Sequence, residues 1–182
     1  VEECAVGGFI IFNGTRDIVS KITQELQEIS KIPLLFGCDA ERGLGQVVSD
    51  MTIFPFTMSL GAANDLDLVY NQASFIAQEM RECGLNLIFA PVADVNSNPD
   101  NPIINIRSYG DDPELVSRLC SAFIKGCQNN GVLTCAKHFP GHGRTGVDSH
   151  VDLPVQNTSL ETLQSSDLIP FEKSIEAGVA SI

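Results

Sequence analysis

The sequence predicts an α/β chain of repeating strand–helix units, arranged as a (β/α)8 barrel of the TIM type and incomplete. Three observations carry that expectation. Short apolar runs without alternation suit parallel strands buried on both faces. Each run precedes a segment with helical periodicity that closes on glycine or a polar stop. Polar residues stand where successive runs end, at Asp39, Asp94 and Lys137-His138, as in a barrel whose site gathers loops from many strands. An open doubly wound sheet shares the rhythm, but no GxGxxG follows the first strand, which removes the nucleotide-binding cue. A complete barrel needs about 250 residues, so the 182 residues here are expected to hold roughly five of its eight units.

Residues 6–12, VGGFIIF, read as the first strand and open into Asn13-Gly14. Thr15 can cap the helix that follows, where Ile18, Ile22, Leu26 and Ile29 recur at helical spacing. Residues 32–38 form the second strand, ending at Asp39. A long connection, residues 39–63, leads to a helix whose inward stripe is Leu66, Val69, Ala73, Ile76 and Met80, with Gly84 as terminator. Residues 85–91 are the third strand. Residues 94–112 are dense in Asn, Pro and Asp and too long for a simple connection, which marks a functional loop. Asp112 caps the next helix with Pro113 at its first position; Leu115, Leu119, Phe123 and Cys127 share one side and Gly131 ends it. The strand 132–136 then enters a glycine-rich loop. Thr158 and Glu161 resemble a capping box for a fourth helix, closed by Gly178 before the strand 179–182.

The formal net charge is −12, and an acidic chain without a basic patch argues against nucleic-acid and anionic-membrane partners. No run of eighteen apolar residues and no basic-plus-apolar leader is present. The chain starts at Val1 and stops in an apolar run at Ile182, so both ends read as cut. Six cysteines, at 4, 38, 83, 120, 127 and 135, show no CxxC. They are expected to be reduced, packed as small hydrophobes in a cytoplasmic setting.

Residues 137–154, KHFPGHGRTGVDSHVDLP, hold all three histidines of the chain. Pro140, Gly141 and Gly143 forbid a helix, so His138 and His142 do not share a helical face, which weakens a zinc reading. Asp148 lies two residues before His150. A carboxylate at that spacing can fold back on an imidazole N–H, fix its tautomer and stabilise the imidazolium, giving a proton-transfer dyad. A solvated surface loop fits the same spacing equally well.

The runs K-H-F-P-G-H-G (residues 137–143), D-S-H (148–150) and L-P (153–154) resemble the signature of glycoside hydrolase family 3, in its β-N-acetylglucosaminidase branch. GGFIIF (7–12), Asp39-Ala40-Glu41, FAPVADVNSNPDNPIINIRSYGDDPE (89–114) and IEAGVASI (175–182) extend the resemblance over nearly the whole chain. It implies that residues 1–182 are part of that family's N-terminal barrel domain. The implied activity is a retaining exo-β-N-acetylglucosaminidase releasing terminal N-acetylglucosamine from peptidoglycan-derived or chitin-like glycans, with no metal or organic cofactor.

The resemblance casts His150 with Asp148 as general acid/base, and Asp39, Arg107, Lys137 and His138 as substrate ligands. The alternatives for these residues are a local ion pair or cap for Asp39, a brace to Asp111 or Asp112 for Arg107, and a core-satisfied imidazole for His138. His142 is expected to support the loop. The family's nucleophilic aspartate matches no residue of this chain, so the 182 residues alone are expected to be inactive. At one edge the pattern departs: many members carry glycine after the glutamate and arginines shortly beyond, where this chain has Arg42, Leu44 and Val47. A β-glucosidase or phosphorylase of the same family is the nearest alternative. A non-catalytic sugar-binding remnant and a zinc hydrolase stand further off, and oligomeric state is left open.

Overall fold

The computed structural model describes residues 6–147, 151, 153–155 and 157–182. Four parallel strands form one sheet in the order β1 (Gly8–Ile10), β2 (Leu35–Cys38), β3 (Leu87–Ile88) and β4 (Leu133–Thr134). Register runs Phe9 to Phe36, Gly37 to Leu87 and Leu87 to Leu133. A further bridge joins Cys135 to Ser181, so the predicted strand 179–182 takes the next place by a single pairing. The ladders are shorter than the apolar runs that encode them. Outside them the backbone still pairs in the parallel sense, as Val92 does with Lys137. Sheet and helices together make a TIM-barrel-like α/β arrangement.

Helices follow the sequence signals closely. Helix α1 (Arg16–Ile29) is capped by Thr15, whose side chain accepts from Ile18 N. Its packed face differs from the one expected. Ile18, Ile22 and Ile29 stay exposed, while Val19 and Thr23 are buried and Leu26 packs beside them. Thr23 Oγ1 donates to Cys83 O at 2.9 Å. Periodicity identifies a face but not the neighbour that covers it.

The connection 39–63 contains a helix that apolar spacing did not announce, α2 (Thr57–Ala63). Gly61 lets it approach the loop 94–112 so closely that a Cβ there would stand 1.6 Å from Tyr109 O.

In α3 (Leu66–Glu82), Val69, Ala73, Ile76 and Met80 are fully buried, whereas Leu66 at the first turn is exposed. Helix α4 (Pro113–Gln128) starts at Asp112, which accepts from Glu114 N, and buries Leu119, Phe123 and Cys127 against α3. The fourth predicted helix is capped by Ser159 rather than Thr158: its hydroxyl accepts from Thr162 N. It runs as α5 (Leu160–Thr162), a π turn over Leu163–Asp167, and α6 (Ile169–Glu176).

Cys38, Cys83, Cys120, Cys127 and Cys135 are free thiols. Burial pushes the Cys38 thiol up to about 12 and the Cys120 and Cys127 thiols higher still. They pack as small hydrophobes and are not poised nucleophiles. Among the described residues, no helix is long and apolar enough to cross a membrane.

Candidate active site

The carboxyl ends of β2 and β4 deliver polar side chains into one cleft of about 660 Å³, and the residue after β3's extension, Asp94, is buried beside it. Asp39 and Glu41 leave β2, Asp94 follows β3, and Lys137 and His138 follow β4. The last two segments are stitched together, since Lys137 N donates to Pro91 O at 3.1 Å and Ala93 N to Lys137 O at 2.6 Å. Arg107 arrives from a short 3₁₀ turn in the loop 94–112.

Two charge clusters result. In the first, Glu41 is the hub. Its carboxylate takes both arms of Arg107, from Nε at 3.0 Å and from Nη2 at 2.6 Å. Lys137 Nζ stands 2.9 Å from Glu41 Oε1 and 2.5 Å from Asp39 Oδ1. Burial opposes ionisation of Glu41, but hydrogen bonding from Arg107 and the charges of Lys137 and Arg107 outweigh it and hold the carboxyl down at about 2. Hydrogen bonding to Glu41 in turn raises Arg107.

The second cluster is organised by Asp94, which is completely buried. Its Oδ2 accepts from His138 N at 3.1 Å and faces His138 Nδ1 at 2.6 Å, while Oδ1 accepts from His142 N at 2.6 Å. An ionised carboxylate only accepts, so Nδ1 carries the proton. His138 Nε2 then presents its lone pair to Arg107 Nη2 at 3.3 Å. This imidazole orients a guanidinium and is spoken for on both nitrogens. The rings of His138 and His142 meet edge to face, 6.1 Å between centroids. Among the described residues, no group of three or more His, Cys, Asp or Glu is arranged to hold a metal ion.

The whole chain, residues 1–182, matches the glycosyl hydrolase family 3 N terminal domain. The chain belongs to glycosyl hydrolase family 3. Beta-hexosaminidase A of Pseudoalteromonas piscicida is 39% identical over 186 residues, spanning 94% of this chain and 31% of that protein. The family 3 β-N-acetylglucosaminidase of Paenibacillus sp. FPU-7 superposes with a TM-score of 0.91 at 43% identity, covering 96% of this chain and 35% of that one. A β-glucoside phosphorylase superposes with a TM-score of 0.91 at 34% identity, covering 95% and 32%. The chain thus spans about a third of the length of these three proteins.

The family 3 cleft brings together Asp39, Arg107, Lys137 and His138. Arg107 is not braced by Asp111 or Asp112; its partners are Glu41, Ile103 O and His138. Asp148 and His150 lie outside the described residues. Glu41 and Asp94 carry the geometry, yet the sequence marked Asp94 only as a strand-end polar residue and Glu41 only as part of the Asp39-Ala40-Glu41 run, with no site role for either. The signals were present: Glu41 sits two places after Asp39, and Asp94 ends a buried apolar run.

The glycine-rich loop is seated from two sides. Gly143 lies so close to β3's extension that a Cβ would be 1.8 Å from Val95 O. On the other side Arg144 Nε reaches Asp167 Oδ2 at 2.6 Å, and Arg144 Nη2 reaches Ser166 Oγ at 3.0 Å. Asp167 stands at the end of the π turn, where Leu168 N bonds back five residues to Leu163 O at 2.9 Å. Its side chain is wholly buried, and its Oδ1 has no hydrogen-bond partner among the described residues. Arg144→Ala strands that carboxylate. It should destabilise the protein by about 3–5 kcal/mol, read from the shift of a urea unfolding curve, whereas Arg144→Lys should recover part of the loss.

Proposed function

We propose that the full-length protein is a retaining exo-β-N-acetylglucosaminidase acting on terminal N-acetylglucosamine of peptidoglycan-derived or chitin-like glycans. Residues 1–182 supply part of its barrel domain. The observation that carries the reading is the charged cluster Asp39–Lys137–Glu41–Arg107–His138, four strand-end residues and one from the loop 94–112, lining one cleft of a family 3 domain. Membership in a family whose similar members include β-hexosaminidases supports it.

The residue chemistry suits a sugar ring. Asp39 is half exposed, and only its Oδ1 is engaged among the described residues, so Oδ2 is available to accept from hydroxyls. Lys137 and Arg107 keep N–H donors for hydroxyl or acetamido oxygens while Glu41 fixes their positions. In the two-step reaction His150 protonates the departing glycosidic oxygen, then takes the proton of the incoming water, with Asp148 steadying the imidazolium. The nucleophilic carboxylate that forms the glycosyl-enzyme is assigned to no residue of this chain.

The test compares chromogenic aryl N-acetyl-β-glucosaminide and aryl β-glucoside on the full-length protein, with the anomer of the first-formed sugar followed by NMR. A clear kcat/KM preference for the acetamido sugar with retained β configuration is expected. Preference for the glucoside, or an inverted product, rejects the reading.

A further inference from the structure

The cleft is lined by three basic side chains, Arg42, Arg107 and Lys137, and they are unevenly partnered. Arg107 and Lys137 are tied to Asp39 and Glu41. Among the described residues no carboxylate pairs with Arg42. That omission runs against composition, since the chain carries 23 acidic residues to 11 basic ones.

Arg42 is nevertheless held in place. Its guanidinium carbon lies 4.2 Å from the centroid of the Phe56 ring, and Nη1 donates to Phe54 O at 3.3 Å. Its backbone N donates to Gln46 Oε1 at 2.6 Å, and its carbonyl accepts from Phe54 N at 2.8 Å. The side chain is partly buried. A guanidinium has five N–H donors and cannot accept. Here one donor is spent on a carbonyl, the flat face rests on an aromatic ring, and the remaining N–H groups of the fork stay uncommitted. Stacking fixes the plane without consuming the edge. The entropic cost of ordering a long side chain has therefore been met before any ligand arrives.

From this arrangement we infer that Arg42 is an oxyanion anchor: the cleft takes a ligand bearing a carboxylate or phosphate, gripped by the free edge of this guanidinium. The inference rests on the glycosidase reading for the identity of the sugar, but the anion site stands on Arg42, Phe56 and the cleft alone. A net charge of −12 repels anions from afar, but screening limits that to a Debye length of about 8 Å at physiological ionic strength. Within the cleft, a paired fork–oxyanion contact outweighs it. Two sources share the chemistry: an acidic group on the leaving-group side of the glycoside, or free phosphate acting as acceptor in place of water.

The experiment uses full-length wild type, Arg42→Gln and Arg42→Lys. In the first arm, meta-carboxyphenyl N-acetyl-β-glucosaminide is compared with its neutral carboxamide. Arg42→Gln should lower the acid-over-amide ratio of kcat/KM by about tenfold or more, and Arg42→Lys should retain part of the preference. In the second arm, inorganic phosphate is added to the carboxamide substrate. Formation of glycosyl phosphate, with half-saturating phosphate raised about tenfold in Arg42→Gln, assigns the anchor to free phosphate. The anchor is rejected if all three proteins share one acid-over-amide ratio and one phosphate response, even where the variants lose activity equally on acid and amide. If the wild type hydrolyses neither glycoside, the proposed activity fails separately. Calorimetric titration with inorganic phosphate then decides the anchor: weaker binding by Arg42→Gln supports it, and equal or undetectable binding in all three overturns it.

Discussion

Glu41→Ala should destabilise the protein by about 3–5 kcal/mol and reduce kcat/KM by roughly a hundredfold or more. Glu41 is the shared counter-ion of Arg107 and Lys137, at 2.6 Å and 2.9 Å, with its side chain only 10% exposed. Removing it leaves two partly buried cations that shared one carboxylate oxygen with only Asp39 to pair Lys137, and both lose the geometry that presents them to a substrate. The same carboxylate makes a pH signature. Its pKa is depressed in the fold from 4.5 to about 2, so its contribution is fully present above the unfolded value. That contribution is lost as pH falls from about 4.5 towards 2. At 1.36 kcal/mol per unit, the stability at stake is about 3 kcal/mol. Unfolding curves recorded from pH 6 downwards check this, and in Glu41→Gln that component of the acid-side decline should be missing. A variant whose acid profile overlays the wild type would show that Glu41 does not hold the cluster.

If His150 is the acid proposed above, His150→Ala in the full-length protein should slow hydrolysis of substrates with poor leaving groups by about 10²–10⁴-fold, the usual worth of a positioned acid. Activated aryl glycosides need little protonation of the departing oxygen, so their first step should suffer far less. A plot of log kcat/KM against leaving-group pKa therefore steepens in the variant. Equal losses on both classes would contradict the acid role. Asp148→Asn should move the same plot in the same direction by a smaller amount, because the imidazole remains and only its electrostatic support is lost.

Much of the fold was legible residue by residue. Thr15 and Asp112 read as caps because a short side-chain oxygen beside a free helix N–H is a local arrangement. Gly84, Gly131 and Gly178 read as stops, and each adopts the positive φ that such a stop requires. The buried stripes of α3 and α4 followed from period alone, apart from their first members, Leu66, which is exposed, and Leu115, which is only partly buried. Where reading failed, a distant partner had decided. The face of α1 turned on Thr23 meeting Cys83 O. Helix α2 exists within a stretch without clean periodicity, because Gly61 lets it dock against Tyr109. The last helix starts one residue later than its capping box suggested.

The site divides along the same line. The sequence by itself determined the family, and it singled out Asp39, Arg107, Lys137 and His138 and the glycine-rich loop as candidates, because those are matters of residue type and order along the chain. Only the tertiary structure decided that Glu41 pairs with Arg107 and Lys137, that Asp94 sets the tautomer of His138, and that Asp167 seats Arg144. The partners in these contacts are separated by 66, 44 and 23 positions along the chain for Glu41–Arg107, Asp94–His138 and Arg144–Asp167. Pairings over such distances are set by how strands register and helices pack, and the burial that gives each carboxylate its strength does not exist until they do.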